Sequence, residues 1–183
     1  MTAGEERQTA VGRWLYRWRA WLGMLGYLVA LAASDFSVTA LVFGLPLVVL
    51  GLTLRFWAAG YIGAHSRGRE IQVIERVQRG PYRWTAHPLY LGNGLLVAGV
   101  LVALAPPWWL RLTIVVFFVI EYSLIAQAEN KALQAPVLSQ QPEVEAWRMR
   151  RAVGEWQTVA TTTATLLLAA FVAWLKARPP APA

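Results

Sequence analysis

The residues of this chain that could do chemistry are few, and most of them fall in one run: Arg79-Gly80-Pro81-Tyr82-Arg83-Trp84-Thr85-Ala86-His87-Pro88-Leu89-Tyr90-Leu91-Gly92. Gly80-Pro81 predicts a turn, because proline fixes φ and pushes the residue before it out of the helical region. His87-Pro88 predicts a helix start: proline at the first helical position misses no amide bond, and His87 takes the capping place. The free amides of such a start attract anions. Two carboxylates follow in an apolar stretch, Glu121 and Glu129, which lie with Ile125 and Ala128 near one helical face. A carboxylate inside an apolar helix points to function, although Glu121 could equally pair with an arginine and Glu129 sits where solvent is close. Arg55, near the end of another apolar stretch, is placed to snorkel to the interface or to meet an anionic group in a cavity.

Composition removes several classes of function. The 183 residues are 57% hydrophobic, above an ordinary globular chain, and the apolar residues come in blocks long enough to span hydrocarbon. The chain has no cysteine, which excludes disulfides, thiolate metal sites and cysteine nucleophiles. Only His65 and His87 supply imidazoles, so no multi-histidine metal centre is expected. The net charge of +7 does not point to nucleic acid, because the arginines flank apolar spans instead of gathering on a polar domain.

The elements that must position these residues are all helical. Residues 1 to about 12 read as polar and loose, with an acidic start and no cleavable signal pattern, so the first span stays in the protein. Trp14, Trp18, Trp21, Leu22 and Leu25 then fall at helical spacing, as in a helix entering through the headgroups. Spans are expected at about 20–33, 36–60, 88–104, 110–128 and 157–175. Pro46 is expected to kink the second, and Ala105-Pro106-Pro107 to close the third. The short links at Ser34-Asp35 and at Trp108-Trp109 make two antiparallel hairpins. Residues 61–87 form a long basic connection, with Ile71, Val73, Ile74 and Val77 suited to a surface segment. Residues 142–154 carry acids first and bases last, which suits a short interfacial helix. The fold class is therefore an all-α polytopic membrane helix bundle of about five spans in one domain, 1–183. Lysine and arginine counts put the N-terminus in the cytoplasm and the C-terminus outside, in the cell inner membrane.

Gly80-Pro81-Tyr82-Arg83, His87-Pro88-Leu89-Tyr90-Leu91-Gly92 and the acidic Glu129 at the end of the next span resemble the isoprenylcysteine carboxyl methyltransferase and phospholipid methyltransferase-like group of membrane enzymes. Gly51-Leu52-Thr53-Leu54-Arg55-Phe56-Trp57 is similar to that group's preceding helix, and the resemblance covers about 41–133, leaving the last span as an addition. It implies S-adenosylmethionine bound at the cytoplasmic surface and an opening toward lipid for an apolar acceptor, a membrane lipid or prenyl-type group. Amides at the Pro88 helix start, after the His87 cap, would hold the cofactor's carboxylate. Gly92 would let the cofactor approach, Glu129 would hold its ammonium or ribose hydroxyls, and Tyr82 and Tyr90 would shape the pocket. No residue is singled out as catalytic, since methyl transfer from a sulfonium asks for alignment and desolvation more than acid–base groups.

The chain departs from the group's pattern in two places. Ala86 stands where an arginine usually precedes His-Pro, and Glu129-Asn130 stands where two glutamates are usual. Two readings follow. In the first the chain is a methyltransferase using S-adenosylmethionine. In the second it is a degenerate member serving as an accessory transmembrane subunit of a larger membrane complex, in one variant with His87 or His65 on a pigment magnesium or haem iron.

Overall fold

Apolar runs broken at proline and glycine give helices throughout. The structure, a computed structural model, describes residues 3–35, 37–62, 79–133 and 147–177. Among them are five long helices and no strand: α1 Ala3–Ala32, α2 Val38–Ile62, α3 Pro88–Leu104, α4 Trp108–Leu133 and, numbered after a one-turn α5 Met149–Ala152, α6 Trp156–Ala177. The Ile71–Val77 surface segment, His65 and the acidic start of the 142–154 segment lie outside the described residues.

Two expected boundaries move. The N-terminal residues are not loose: α1 is helical from Ala3. The reason is tertiary, because a Cβ on Gly12 would lie 2.5 Å from the Leu124 carbonyl oxygen and 2.8 Å from Ala128 Cβ, so α1 lies directly on α4 well before its apolar part begins. Leu15 and Tyr16 bury against Ile125 just beyond. Likewise α4 runs on to Leu133, which places Glu129 inside a helix instead of at its end.

α2 (Val38–Ile62) and α4 (over Trp108–Lys131) are long and apolar enough to cross a membrane, whereas α3 is shorter at 17 residues. At ~1.5 Å per residue α3 covers about 26 Å, against a hydrocarbon core of ~30 Å. Val42, Phe43, Val49 and Leu50 on α2 and Val115, Phe117, Val119 and Ile120 on α4 stand exposed on the outside of the bundle. Water would not tolerate so continuous an apolar surface, and lipid does. This is a membrane protein. Trp14, Trp18 and Trp21 also face outward, as interfacial anchors do.

The tightest contact is between α2 and α3, and it is made by backbone. Gly44 and Gly51 lie two turns apart on α2, as Gly92 and Gly99 do on α3. A Cβ on Gly44 would lie 2.5 Å from the Gly99 carbonyl oxygen, one on Gly51 would lie 2.8 Å from the Gly92 carbonyl oxygen, and one on Gly99 would lie 2.7 Å from the Val48 amide nitrogen. With no hydrophobic effect between helices in lipid, this close approach is what holds them. At the far end Ala30, Leu101, Leu104 and Ala169 bury together, joining α1, α3 and α6. α3 stops there because Ala105 turns left-handed, φ 46°, and its amide donates to the Leu101 carbonyl before Pro106-Pro107. α2 runs unbroken through Pro46.

Gly99→Leu is expected to force the two backbones apart and to destabilise the protein by about 1–3 kcal/mol or more. Gly23→Ala, where nothing lies within 4 Å of the new Cβ, is expected to leave stability level or slightly raised. Thermal unfolding of both variants in the same detergent checks the contrast, and equal melting points would contradict the glycine contact.

Candidate functional site

The turn before α3 has the form that Gly80-Pro81 requires. Gly80 takes φ 57°, which glycine adopts freely, and a side chain there would also run into the Tyr61 ring. A 3-10 turn, Gly80–Arg83, follows, with the Tyr82 amide donating to the Arg79 carbonyl (3.2 Å) and the Trp84 amide to the Pro81 carbonyl (3.2 Å). Trp84 packs edge-on to Trp57, ring centroids 5.3 Å apart. Pro81 is buried, and the Tyr82 hydroxyl is buried without a hydrogen-bond partner. Burial first, then the charges of Glu129 and Glu155, push the Tyr82 phenol above its ordinary range, with Arg55 opposing. It therefore stays protonated at neutral pH and can act as a donor.

His87 caps α3, but the first turn largely closes on itself. The His87 carbonyl accepts the amides of Tyr90 (3.0 Å) and Leu91 (3.2 Å), while the His87 amide donates to Thr85 Oγ1 (3.3 Å). Side chains rather than amides make the polar face at this end. The His87 ring stacks on Tyr90, centroids 5.1 Å apart and 8° from parallel. Its Nδ1 lies 3.4 Å from Glu129 Oε2, and the Tyr90 hydroxyl donates to Glu129 Oε1. One oxygen of the carboxylate thus takes a hydrogen bond and the other faces the imidazole. The other ring nitrogen, Nε2, is buried with no partner. Tyr122 meets Tyr90 edge-on at 4.8 Å and completes an aromatic wall.

A second polar group lies beside the first. Arg55 does not snorkel: its Nε and Nη2 donate to Glu155 Oε2 at 2.9 and 2.6 Å, Nη2 reaches Thr158 Oγ1 at 3.4 Å, and Nη1 donates to Asn93 Oδ1. Asn93 Nδ2 in turn donates to the Tyr122 hydroxyl at 2.7 Å. The stem of Arg55 fits only because Gly92 has no side chain, since a Cβ there would lie 2.6 Å from Arg55 Cγ. Gly92 is therefore turned to α2. The segment before α6 is tied to the end of α2, with the Arg148 amide donating to the Gly60 carbonyl (3.0 Å) and Arg151 Nη1 to the Tyr61 carbonyl (3.2 Å). That tether delivers Glu155.

Of the residues singled out in the sequence, His87, Tyr90 and Glu129 meet, Tyr82 points a buried hydroxyl into the field of the same carboxylate, and Pro88 is buried as the first residue of α3. Ala86 and Asn130 are exposed. Glu121 is buried on the α1 side of α4, one oxygen without a hydrogen-bond partner, in the field of Arg19. Asn93, Tyr122, Thr158 and Glu155 were missed. Asn93 could have been noticed as the one amide in an apolar helix, whereas nothing local joins Arg55 to a residue 100 positions away.

Asn93→Leu strips Tyr122 of its donor and Arg55 of an acceptor, and is expected to cost about 1–3 kcal/mol of stability. Thr113→Val removes a hydroxyl that bonds only the Trp109 carbonyl of its own helix, and is expected to stay within about 0.5 kcal/mol of the parent. Denaturation in mixed micelles, read by tryptophan fluorescence, compares the two.

No curated protein and no solved structure matches the chain. A family model does: phospholipid methyltransferase, over residues 39–135. The matched region is more than half of the chain and contains α2, the Gly80–Arg83 turn, α3 and α4, hence Tyr82, His87, Tyr90 and Glu129 in the arrangement just described. By that match the chain belongs to the phospholipid methyltransferase family.

Proposed function

We propose that the protein binds S-adenosylmethionine at the Tyr82, His87, Tyr90 and Glu129 cluster and directs its methyl group to an acceptor carried in the bilayer, a membrane lipid or prenyl-type group. The observation that carries this reading is a carboxylate that takes the Tyr90 hydroxyl on one oxygen and faces His87 with the other, with two buried polar atoms without partners, the Tyr82 hydroxyl and His87 Nε2, in the same cluster. An unsatisfied buried polar group costs about 1–3 kcal/mol, and a ligand with an ammonium, hydroxyls and ring nitrogens removes that cost. The chemistry of the donor set fits the cofactor. Glu129 accepts from the ammonium or ribose hydroxyls, Tyr82 donates, and His87 Nε2 offers one more buried polar atom for the cofactor to pair with.

When bound, the cofactor supplies an electrophilic methyl group on a cationic sulfonium. The protein's part is to orient and to exclude water. The Tyr90 and Tyr122 rings offer a cation a favourable quadrupole, and their edge-to-face contact across α3 and α4 fixes their relative direction. No general base is needed at the carbon that moves.

Charge supports a cytoplasmic site. Arg13, Arg17, Arg79, Arg83, Arg148 and Arg150 lie toward the end of the bundle that holds Glu129, while Arg111 lies at the other. By the positive-inside rule that end faces the cytoplasm of a cell inner membrane. Five crossings then put the N-terminus inside and the C-terminus outside.

Calorimetry on the protein in detergent tests the cofactor. Binding is expected for the parent, and Glu129→Gln is expected to weaken it by ~10- to 100-fold, the worth of a charge-assisted hydrogen bond. A parent protein that binds nothing at millimolar S-adenosylmethionine refutes the proposal. Transfer of labelled methyl into extracted membrane lipid identifies the acceptor.

A further inference from the structure

We infer that Glu155, which lies beyond the family-matched region, sets the charge of the site: by neutralising Arg55 it keeps the Glu129 cluster selective for a cationic ligand. The inference deepens the cofactor reading and rests on it.

Three observations lead there. Arg55 and Glu155 are an ion pair at 2.6 Å whose side chains are only 15% and 3% exposed, so an uncompensated charge at either would be weakly screened. The pair is also wired to the cluster. Arg55 bonds Asn93, Asn93 bonds Tyr122, Tyr122 packs on Tyr90, and Tyr90 bonds Glu129. Finally, Tyr82 lies in the fields of Glu129, Glu155 and Arg55 together, which puts all three charges around one buried hydroxyl. Glu155 is held there by the tether of Arg148 and Arg151 to the end of α2.

The bland alternative is a staple that merely fastens α6. The two differ in what they do to charge. Glu155→Gln makes the site one unit more positive, whereas Arg55→Gln with Glu155→Gln removes one charge of each sign and leaves the sum unchanged. A staple would be lost in both variants. A charge-setting carboxylate would be missed only in the first.

The test measures dissociation constants of the full chain in detergent for S-adenosylmethionine and for S-adenosylhomocysteine, whose net charges differ by one. Glu155→Gln is expected to weaken the sulfonium roughly tenfold more than the thioether, as a unit charge within about a nanometre would. The double variant is expected to return the ratio to within about threefold of the parent's. Equal loss of both ligands in Glu155→Gln overturns the inference and leaves the cofactor reading standing. A parent that binds neither overturns both. Should Glu155→Gln not fold, Arg55→Gln decides in its place: it makes the site one unit more negative and is expected to raise the preference for the sulfonium roughly tenfold, and an unchanged ratio overturns the inference.

Discussion

The backbone contact between α2 and α3 is the constraint from which the site follows. In lipid there is no water to drive helices together, so the approach must come from packing, and only positions without side chains allow it. Four glycines at two-turn spacing provide that contact. Because the helices touch at Gly51 and Gly92, the next turn of α2 brings Arg55 across α3 beside Asn93. A bulkier residue at either position would move the guanidinium away from the partners that make its burial tolerable. The glycine face and the polar site are one device.

Burying charge near lipid is costly, and the protein meets that cost by sharing. Arg55 has Glu155, Asn93 and Thr158, and Glu129 has Tyr90 and His87. Arg55 is oriented from three elements and Glu129 from the start of α3, so the fold itself sets the geometry. Such preorganisation is what a reaction needing alignment more than acid–base chemistry requires. The Tyr82 hydroxyl and His87 Nε2 differ from these, since both are buried without a hydrogen-bond partner.

The N-terminal helix and the C-terminal segment extend the matched family region on both sides. α1 lies against the half of α4 that carries Glu129, through Gly12, Leu15 and Tyr16. The segment around Arg148–Glu155 wraps the end of α2. Both converge on the end of the bundle where the polar residues are.

Much could be read from the chain alone, because it depends on neighbours in sequence. The apolar blocks, the turn at Gly80-Pro81, the helix start at His87-Pro88 and the stop at Ala105-Pro106-Pro107 follow from local preferences of glycine and proline. The hairpin of α3 and α4 follows from the short link between them, and it puts Glu129 at the level of His87. What the chain alone could not decide was which polar residues face each other. Glu121 and Glu129 share one apolar run, and only the packing shows that Glu121 is buried in the field of Arg19 on α1 while Glu129 meets Tyr90 and His87. The helical start at Ala3 and the pairing of Arg55 with Glu155 were likewise settled by contact. Such contacts join residues far apart in the chain, and their strength comes from burial that exists only once the helices have packed.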